Sequence, residues 1–417
     1  MQEETDMRRM IWFEWKRIWQ SRLTQFAAAG CALFLIFCVW SSIQQIMAVD
    51  SEGNTVFGME AAKTLREFGE KRTLDQETVD GMVKEYLERT ENPETASEDS
   101  NLEFLSEEVY RTWYLPRREL YSIIRNVYWE DGRRDTMAGV LWDHYGEDFY
   151  EARTRRVQEW LSIYQGNQVI TPAEADWWVK KDAAVGTYQY GYYKGWDLIL
   201  AAASTWTILI MMIACIGIAP VFAGEYQTKC DSLLLCMRYG KSRLIAAKLL
   251  ASWLYVSAVY WGIALIYCAI YLLLLGTGGW DLPVQISSTN AVSYNLNMAQ
   301  ASGLVLLLGW LYTLGMTGIT LFLSSLLKNA YSVIIAAFLL LIVPTFLSMS
   351  SGGYLWKHVL ALLPAKITDF SFTSYLVFRM GGLIVTWPTA AMALNGAGAL
   401  LLSGLVYAVF RRHQVNR

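Results

Sequence analysis

The sequence predicts an all-α membrane protein with six transmembrane helices, an N-terminal cytoplasmic amphipathic helix and a mostly helical extracellular domain. Three observations lead there. Hydrophobic residues make up 54% of the 417, and charged residues 18%, below the roughly one quarter usual in a soluble domain. Six stretches each supply about the 20 mainly apolar residues that a spanning helix needs. The charges crowd into the first half of the chain, which separates a lipid-facing part from a polar one.

Residues 1–24 read as an amphipathic helix on the cytoplasmic leaflet. Met7, Met10, Ile11, Trp15, Ile18 and Trp19 recur at helical spacing, with Arg8, Arg9, Lys16 and Arg17 between them. The first transmembrane helix is expected over 25–49, in an uncharged run between Arg22 and Asp50. That run is too long for the apolar core of a cleaved signal peptide. Residues 50–197 form the extracellular domain. Residues 198–417 carry the other five spans, over about Leu198–Ala223, Leu249–Leu275, Ala301–Leu327, Ala330–Met349 and Trp387–Phe410. Backbone groups in lipid must be satisfied within each segment, so these are helices rather than open strands.

Orientation follows from Lys and Arg in the short loops. Arg8, Arg9, Lys16, Arg17 and Arg22 precede the first span, and Lys229, Arg238, Lys241, Arg243 and Lys248 separate the second from the third. Lys328 sits between the fourth and fifth, and Arg411, Arg412 and Arg417 follow the sixth. Both termini are therefore expected in the cytoplasm of a multi-pass membrane protein.

Between Ala48 and Asp197, acidic residues outnumber basic ones by 30 to 18. The domain is expected to be mostly helical, its middle rich in Glu, Lys, Arg and Leu, as in Glu60–Thr90 and Val109–Gln165, with a helix start at Thr171-Pro172 and Glu174 behind it. Trp113, Trp129, Trp142, Trp160, Trp177 and Trp178 are expected in this domain's core. Tyr188, Tyr190, Tyr192, Tyr193 and Trp196 read as an aromatic belt at the lipid boundary. The six cysteines, Cys31, Cys38, Cys215, Cys230, Cys236 and Cys268, all lie outside this domain and read as small buried hydrophobes. An interfacial or partly re-entrant helix is expected within Tyr354–Met380, where Leu355, Val359, Leu362 and Leu363 fall at near-helical spacing.

Little in the chain points to chemistry of its own. No Cys/His metal spacing occurs, and no dense basic cluster suggests nucleic acid. Gly240-Lys241-Ser242 ends like a phosphate-binding loop, but Leu235 stands where that loop needs glycine. The spans contain almost no ionisable residues, which argues against a carrier driven by proton or sodium coupling. His144 with Asp143, Glu147 and Asp148 is the sole convergent titratable cluster, and a solvated helix face accounts for it.

The informative segment is the cytoplasmic loop 223–248. Glu225 stands at the membrane exit, followed by Tyr226, an apolar ridge at Leu233, Leu234 and Leu235, then Arg238, Lys241, Arg243 and Lys248. An apolar ridge with charged shoulders suits docking of a soluble partner. Pro220 and Pro344 mark points where the second and fifth spans can kink.

This loop resembles that of the permease subunits of type-2 ABC exporters. Glu225, the Leu233–Leu235 patch, Arg243 and Lys248 match in order. Lys229-Cys230 replaces the family's Gly-Thr pair, and Tyr239-Gly240-Lys241 stands where a Pro is usual. LSSLLKN at 323–329 and LLPA at 362–365 also resemble the family. The resemblance covers about 1–50 and 198–417 and leaves the extracellular domain unmatched. It implies a permease that holds no cofactor or metal, pairs with a second permease copy in the bilayer as homodimer or heterodimer, and docks an ABC ATP-binding subunit carrying ATP and Mg. A lipophilic compound, a peptide or a lipid-like molecule would be its cargo. The rival reading is a membrane-anchored sensor or assembly factor whose extracellular domain binds a ligand.

Overall fold

The structure is a computed structural model and describes residues 2–50, 52–129, 136–230, 240, 242–287, 292–349 and 352–412, with the side chains of residues 2–5 left out. Helix α1 (Gln2–Trp19) turns at Gln20-Ser21 into α2 (Arg22–Gln44). Four further helices are long and apolar enough to cross a membrane. They are α9 (Lys194–Ile218) with its continuation α10 (Pro220–Gln227), then α11 (Arg243–Leu275), α12 (Met298–Leu326) and α15 (Trp387–Arg412). The fifth expected span is the shorter apolar stretch Ala330–Phe346, made of α13 (Ala330–Ile342) and a 3₁₀ turn (Val343–Phe346). The switch falls at Pro344, whose ring cannot continue an α-helical ladder.

Helix α12 is the hub of the apolar bundle, packing against α9, α11, α13 and α15. Small residues let it approach its neighbours. A Cβ on Gly318 would lie 3.0 Å from the Ala399 Cα of α15, so a larger residue there would push the two backbones apart. Near the same helix, Tyr312 Oη and Trp387 Nε1 both donate to the Ala361 carbonyl, at 2.7 and 2.8 Å.

The first apolar run does not stay helical to Val49. Strand β1 (Met47–Val49) pairs antiparallel with β2 (Thr55–Phe57), and Ala48 and Val49 are buried there. The polar region then contains α3 (Gly58–Phe68), α4 (Gln76–Glu91), α5 (Leu115–Tyr128), α6 (Met137–Asp143), α7 (Phe149–Gly166) and α8 (Pro172–Asp182). Helix α8 opens on a reciprocal cap: Thr171 and Glu174 each satisfy the other's backbone, with Pro172 at the first helical position. Strands β3 (Arg72–Leu74) and β4 (Tyr188–Tyr190) pair across this region.

The expected aromatic belt is corrected here. Tyr188, Tyr190 and Tyr193 are buried in the core of the polar region, because β4 is paired by β3 and turns these rings inward. Of the tryptophans, Trp113 and Trp178 are buried, Trp129, Trp160 and Trp177 pack half-buried against the core, and Trp142 is exposed. Cys215 is buried, whereas Cys31, Cys38, Cys230 and Cys268 are only half-buried; Cys236 lies outside the described residues.

The polar region is not a separate bead. Its core continues into 282–301 and into β5 (Val377–Met380), which pairs with β6 (Leu383–Thr386). Tyr193 Oη donates to the Ile286 carbonyl at 3.1 Å, and Trp178 Nε1 to that of Tyr375 at 2.7 Å. Arg379 Nε and Tyr354 Oη both donate to Glu174 Oε1, at 3.0 and 3.1 Å. The helix expected within Tyr354–Met380 is α14 (Tyr354–Ala361). It exposes Leu355 and Val359 and buries Lys357 and His358 toward the polar region, where Lys357 Nζ reaches the Asn167 carbonyl.

Candidate functional site

Four charged side chains from three distant helices meet at the start of the 223–248 loop. Helix α1 presents Glu14 and Arg17, three residues apart and so on one face. That face also carries Ile18, which is buried, and Trp19, whose ring meets Tyr255 of α11 edge-on at 5.2 Å. Glu225 ends α10, and Lys248 lies in the second turn of α11. Lys248 Nζ donates to Glu225 Oε1 at 2.8 Å and to Glu14 Oε2 at 3.0 Å. Arg17 Nη1 donates to the same Glu225 oxygen at 2.6 Å.

Two acids and two bases thus alternate with no net charge, and burial differs sharply among them. Lys248 is 1% exposed, Glu225 3% and Glu14 6%, whereas the Arg17 side chain is 42% exposed. A buried ammonium is tolerated only when paired and hydrogen-bonded. Lys248 meets that condition with two carboxylates from two other helices, so it fixes α1 and α10 to α11.

Between α9 and α10 the helix is interrupted only at Ala219, just before Pro220, and a residue of α12 reaches this point. Ser324 Oγ of α12 accepts from the amides of Phe222 and Ala223, at 3.1 and 3.0 Å, and donates to the Ala219 carbonyl at 2.6 Å. A hydroxyl is thereby inserted into the helical ladder beside the proline, a recognised cause of a kink. Tyr226 Oη donates to the Ser325 carbonyl at 3.1 Å, and Gln227 Nε2 to Asn329 Oδ1 at 2.9 Å. Phe222 packs on Phe410 of α15. Displacement of the loop's first residues therefore reaches α1, α11, α12, α13 and α15. A recess of about 450 Å³ is lined by Glu14, Lys16, Arg17, Ser21, Gly217 and Pro220.

Removing the Ser324 hydroxyl orphans two buried amides. Ser324→Ala is expected to cost about 1–3 kcal/mol. Faster hydrogen exchange at Phe222 and Ala223 is the local readout, and exchange as slow as in the wild type would show that the helix closes its own ladder there.

The structure brings Glu225 and Lys248 together with Arg17, whereas Tyr226 turns to Ser325 of α12. It turns Glu225 and Lys248 into α1 rather than outward, so in this conformation neither offers a charge to a soluble partner. Leu233, Leu234, Leu235, Arg238 and Lys241 lie outside the described residues, and Arg243 opens α11 half-buried. On α1, Trp15 stacks on Trp12 and meets Trp19 edge-on, while Arg8, Arg9 and Lys16 lie on the exposed side. Glu14 and Ser324 were not singled out from the sequence. Glu14's signal was an acid placed inside an apolar stripe, three residues before Arg17.

The polar region's titratable cluster is occupied structurally. His144 Nδ1 lies 2.7 Å from Glu147, which also pairs with Arg155, and Asp148 caps α7. Among the described residues, no group of three or more His, Cys, Asp or Glu is arranged to hold a metal ion.

Long apolar helices, one of them joined to an amphipathic helix through a buried charge cluster, define a multi-pass transmembrane protein. Residues 32–370 match the model of the ABC-2 family transporter proteins, and the chain belongs to that family. It is thus a membrane permease subunit of an ABC transporter, a class that associates with an ATP-binding subunit. A comparison with curated proteins found no match.

Proposed function

We propose that this permease works in ATP-driven export, moving a lipophilic compound, peptide or lipid-like substrate across a bacterial cell membrane as one half of a permease dimer. The observation that carries the reading is the convergence of both ends of the 223–248 loop, through Glu225 and Lys248, on Glu14 and Arg17 of the interface helix. A push on that loop is delivered to α1 and to the spans at once. The ATPase, carrying ATP and Mg, docks on the loop's apolar ridge at Leu233–Leu235 and its cations Arg238 and Lys241. Glu225 and Lys248 position the loop from beneath. Coupling requires that these contacts differ in free energy between two states of the spans.

In this reading Ala330–Phe346 is the sixth crossing. Thirteen α-helical residues and four in a 3₁₀ turn rise about 28 Å, close to the hydrocarbon thickness of about 30 Å. Both termini are cytoplasmic by the charge distribution of the short loops, and the polar region is extracellular.

Co-purification with the ABC ATPase tests the docking. Leu234→Asp is expected to abolish association and ATP-dependent transport while leaving the melting of the permease unchanged. Association and transport at the wild-type level in that variant would refute docking through this ridge.

A further inference from the structure

We infer that the groove along the outer half of α9 binds a lipophilic cation, and that the exported substrate belongs to this class; the inference rests on the permease reading above. The unburied face of α9 near its polar-region end carries Asp197, Ala201, Ser204 and Thr205. Two recesses flank that face. The upper one, about 340 Å³, lies between α9 and the 367–372 segment and is lined by Asp197, Ser204, Ser287, Thr368, Phe370 and Ser371. The lower one, about 270 Å³, lies between α9 and α2, with Phe37, Ser41, Ser42, Trp206 and Tyr267 in its wall. Ala201 lines both, so the recesses meet around one small side chain.

The charge of this groove is one-sided. Among the described residues, neither recess is lined by Lys, Arg or His, and Asp197 is the one ionisable acid or base in either apart from Cys38 and Tyr267. Asp197 Oδ2 accepts from Lys194 at 3.1 Å, but Lys194 is shared with Glu119 at 3.8 Å. Lys194 divides its contacts between two carboxylates, so Asp197 keeps acceptor capacity at the mouth. A cation entering the groove is attracted to it, and an anion meets no compensating donor charge.

The walls supply the rest of the recognition. Aromatic faces of Phe370 above, and of Phe37, Trp206 and Tyr267 below, suit an apolar cation through dispersion and cation–π contact.

Tetraphenylphosphonium and tetraphenylborate have the same shape and opposite charge, and they test the inference directly. Equilibrium dialysis of the full-length permease in uncharged maltoside micelles, against protein-free micelles, is expected to show saturable binding of the phosphonium alone. Asp197→Asn is expected to weaken it by about tenfold or more, the equivalent of about 1.4 kcal/mol. Should that variant fail to fold, Ala201→Trp, which blocks the junction of the recesses and leaves every charge in place, is expected to abolish binding. Equal binding of the two ions, no saturable phosphonium binding, or full affinity in both variants would overturn the proposal. ATPase association is measured separately. If association holds and phosphonium binding fails, the substrate class falls and the exporter reading stands; binding that depends on Asp197 in a chain that never recruits an ATPase has the reverse meaning.

Discussion

Lys248→Met is expected to destabilise the junction beneath the loop by about 3–5 kcal/mol, the usual cost of removing one partner from a buried charge cluster. The lysine is 1% exposed and its two acceptors, Glu14 and Glu225, are 6% and 3% exposed. Without it, two buried carboxylates share only Arg17, which reaches Glu225 at 2.6 Å and Glu14 at 3.6 Å. Arg17→Ala removes a side chain 42% exposed to solvent, and its expected cost is about 1 kcal/mol or less. The size of the gap makes Lys248, not the more visible arginine, the central residue. The measurement is the melting midpoint of the full chain together with protease sensitivity of α1. Adding Glu14→Gln and Glu225→Gln to Lys248→Met removes the stranded charges and is expected to recover most of the loss. If Lys248→Met melts like the wild type, the cluster is wet. In the recovered triple variant the helices hold together without the charge link, so ATP hydrolysis that no longer drives transport would place coupling in the cluster itself.

How much of this was legible in the sequence varies with the distance over which the signal acts. The α1 stripe and the long apolar helices are local patterns, repeated over many turns, and the elements follow them. Glu225 stands out as an acid at the end of an apolar run. What its charge meets does not, because its partners lie 23 and 208 positions away. Glu14 lies 234 positions from Lys248, and an acid in an amphipathic helix reads like any solvent-facing acid until that helix is docked. Ser324 sits within LSSLLKN, where nothing local distinguishes the serine that enters another helix's ladder from the one beside it. The tyrosines at 188–193 misled for a related reason. Their three-residue strand is too short to announce itself, and its partner Arg72–Leu74 is supplied from the far end of the polar region. An aromatic cluster beside an apolar helix therefore looked like a membrane belt when it was a core.

Asp182→Asn is expected to unfasten that core. Arg153 and Asp182 are 4% and 5% exposed and form a two-pronged pair at 2.7 and 2.8 Å. Arg153 also donates to Tyr188 Oη and, at 3.1 Å, to the Val292 carbonyl, so the pair ties α7 and α8 to β4 and to the 282–301 segment. Burial alone would pull the Arg153 pKa down; Tyr188 and Asp182 outweigh it and hold the guanidinium above its ordinary value. A guanidinium keeps its proton at any ordinary pH, so the variant strands a full charge in the core at an expected cost of about 3–5 kcal/mol. An exposed pair gives the scale for comparison: Glu67→Gln, opposite Lys63 with side chains 64% and 79% exposed, is expected to change stability by about 0.5 kcal/mol or less. Because the core of the polar region continues into 282–301, the loss is expected to appear there too, as faster hydrogen exchange near Val292 and Tyr294 and as new proteolytic cuts between α7 and β4. The α1 junction makes no contact with this pair and is expected to keep its protection. Loosening confined to α8 would mean that the polar region is pinned to 282–301 by its aromatic packing alone, and that the guanidinium's reach to Val292 contributes nothing to the joint.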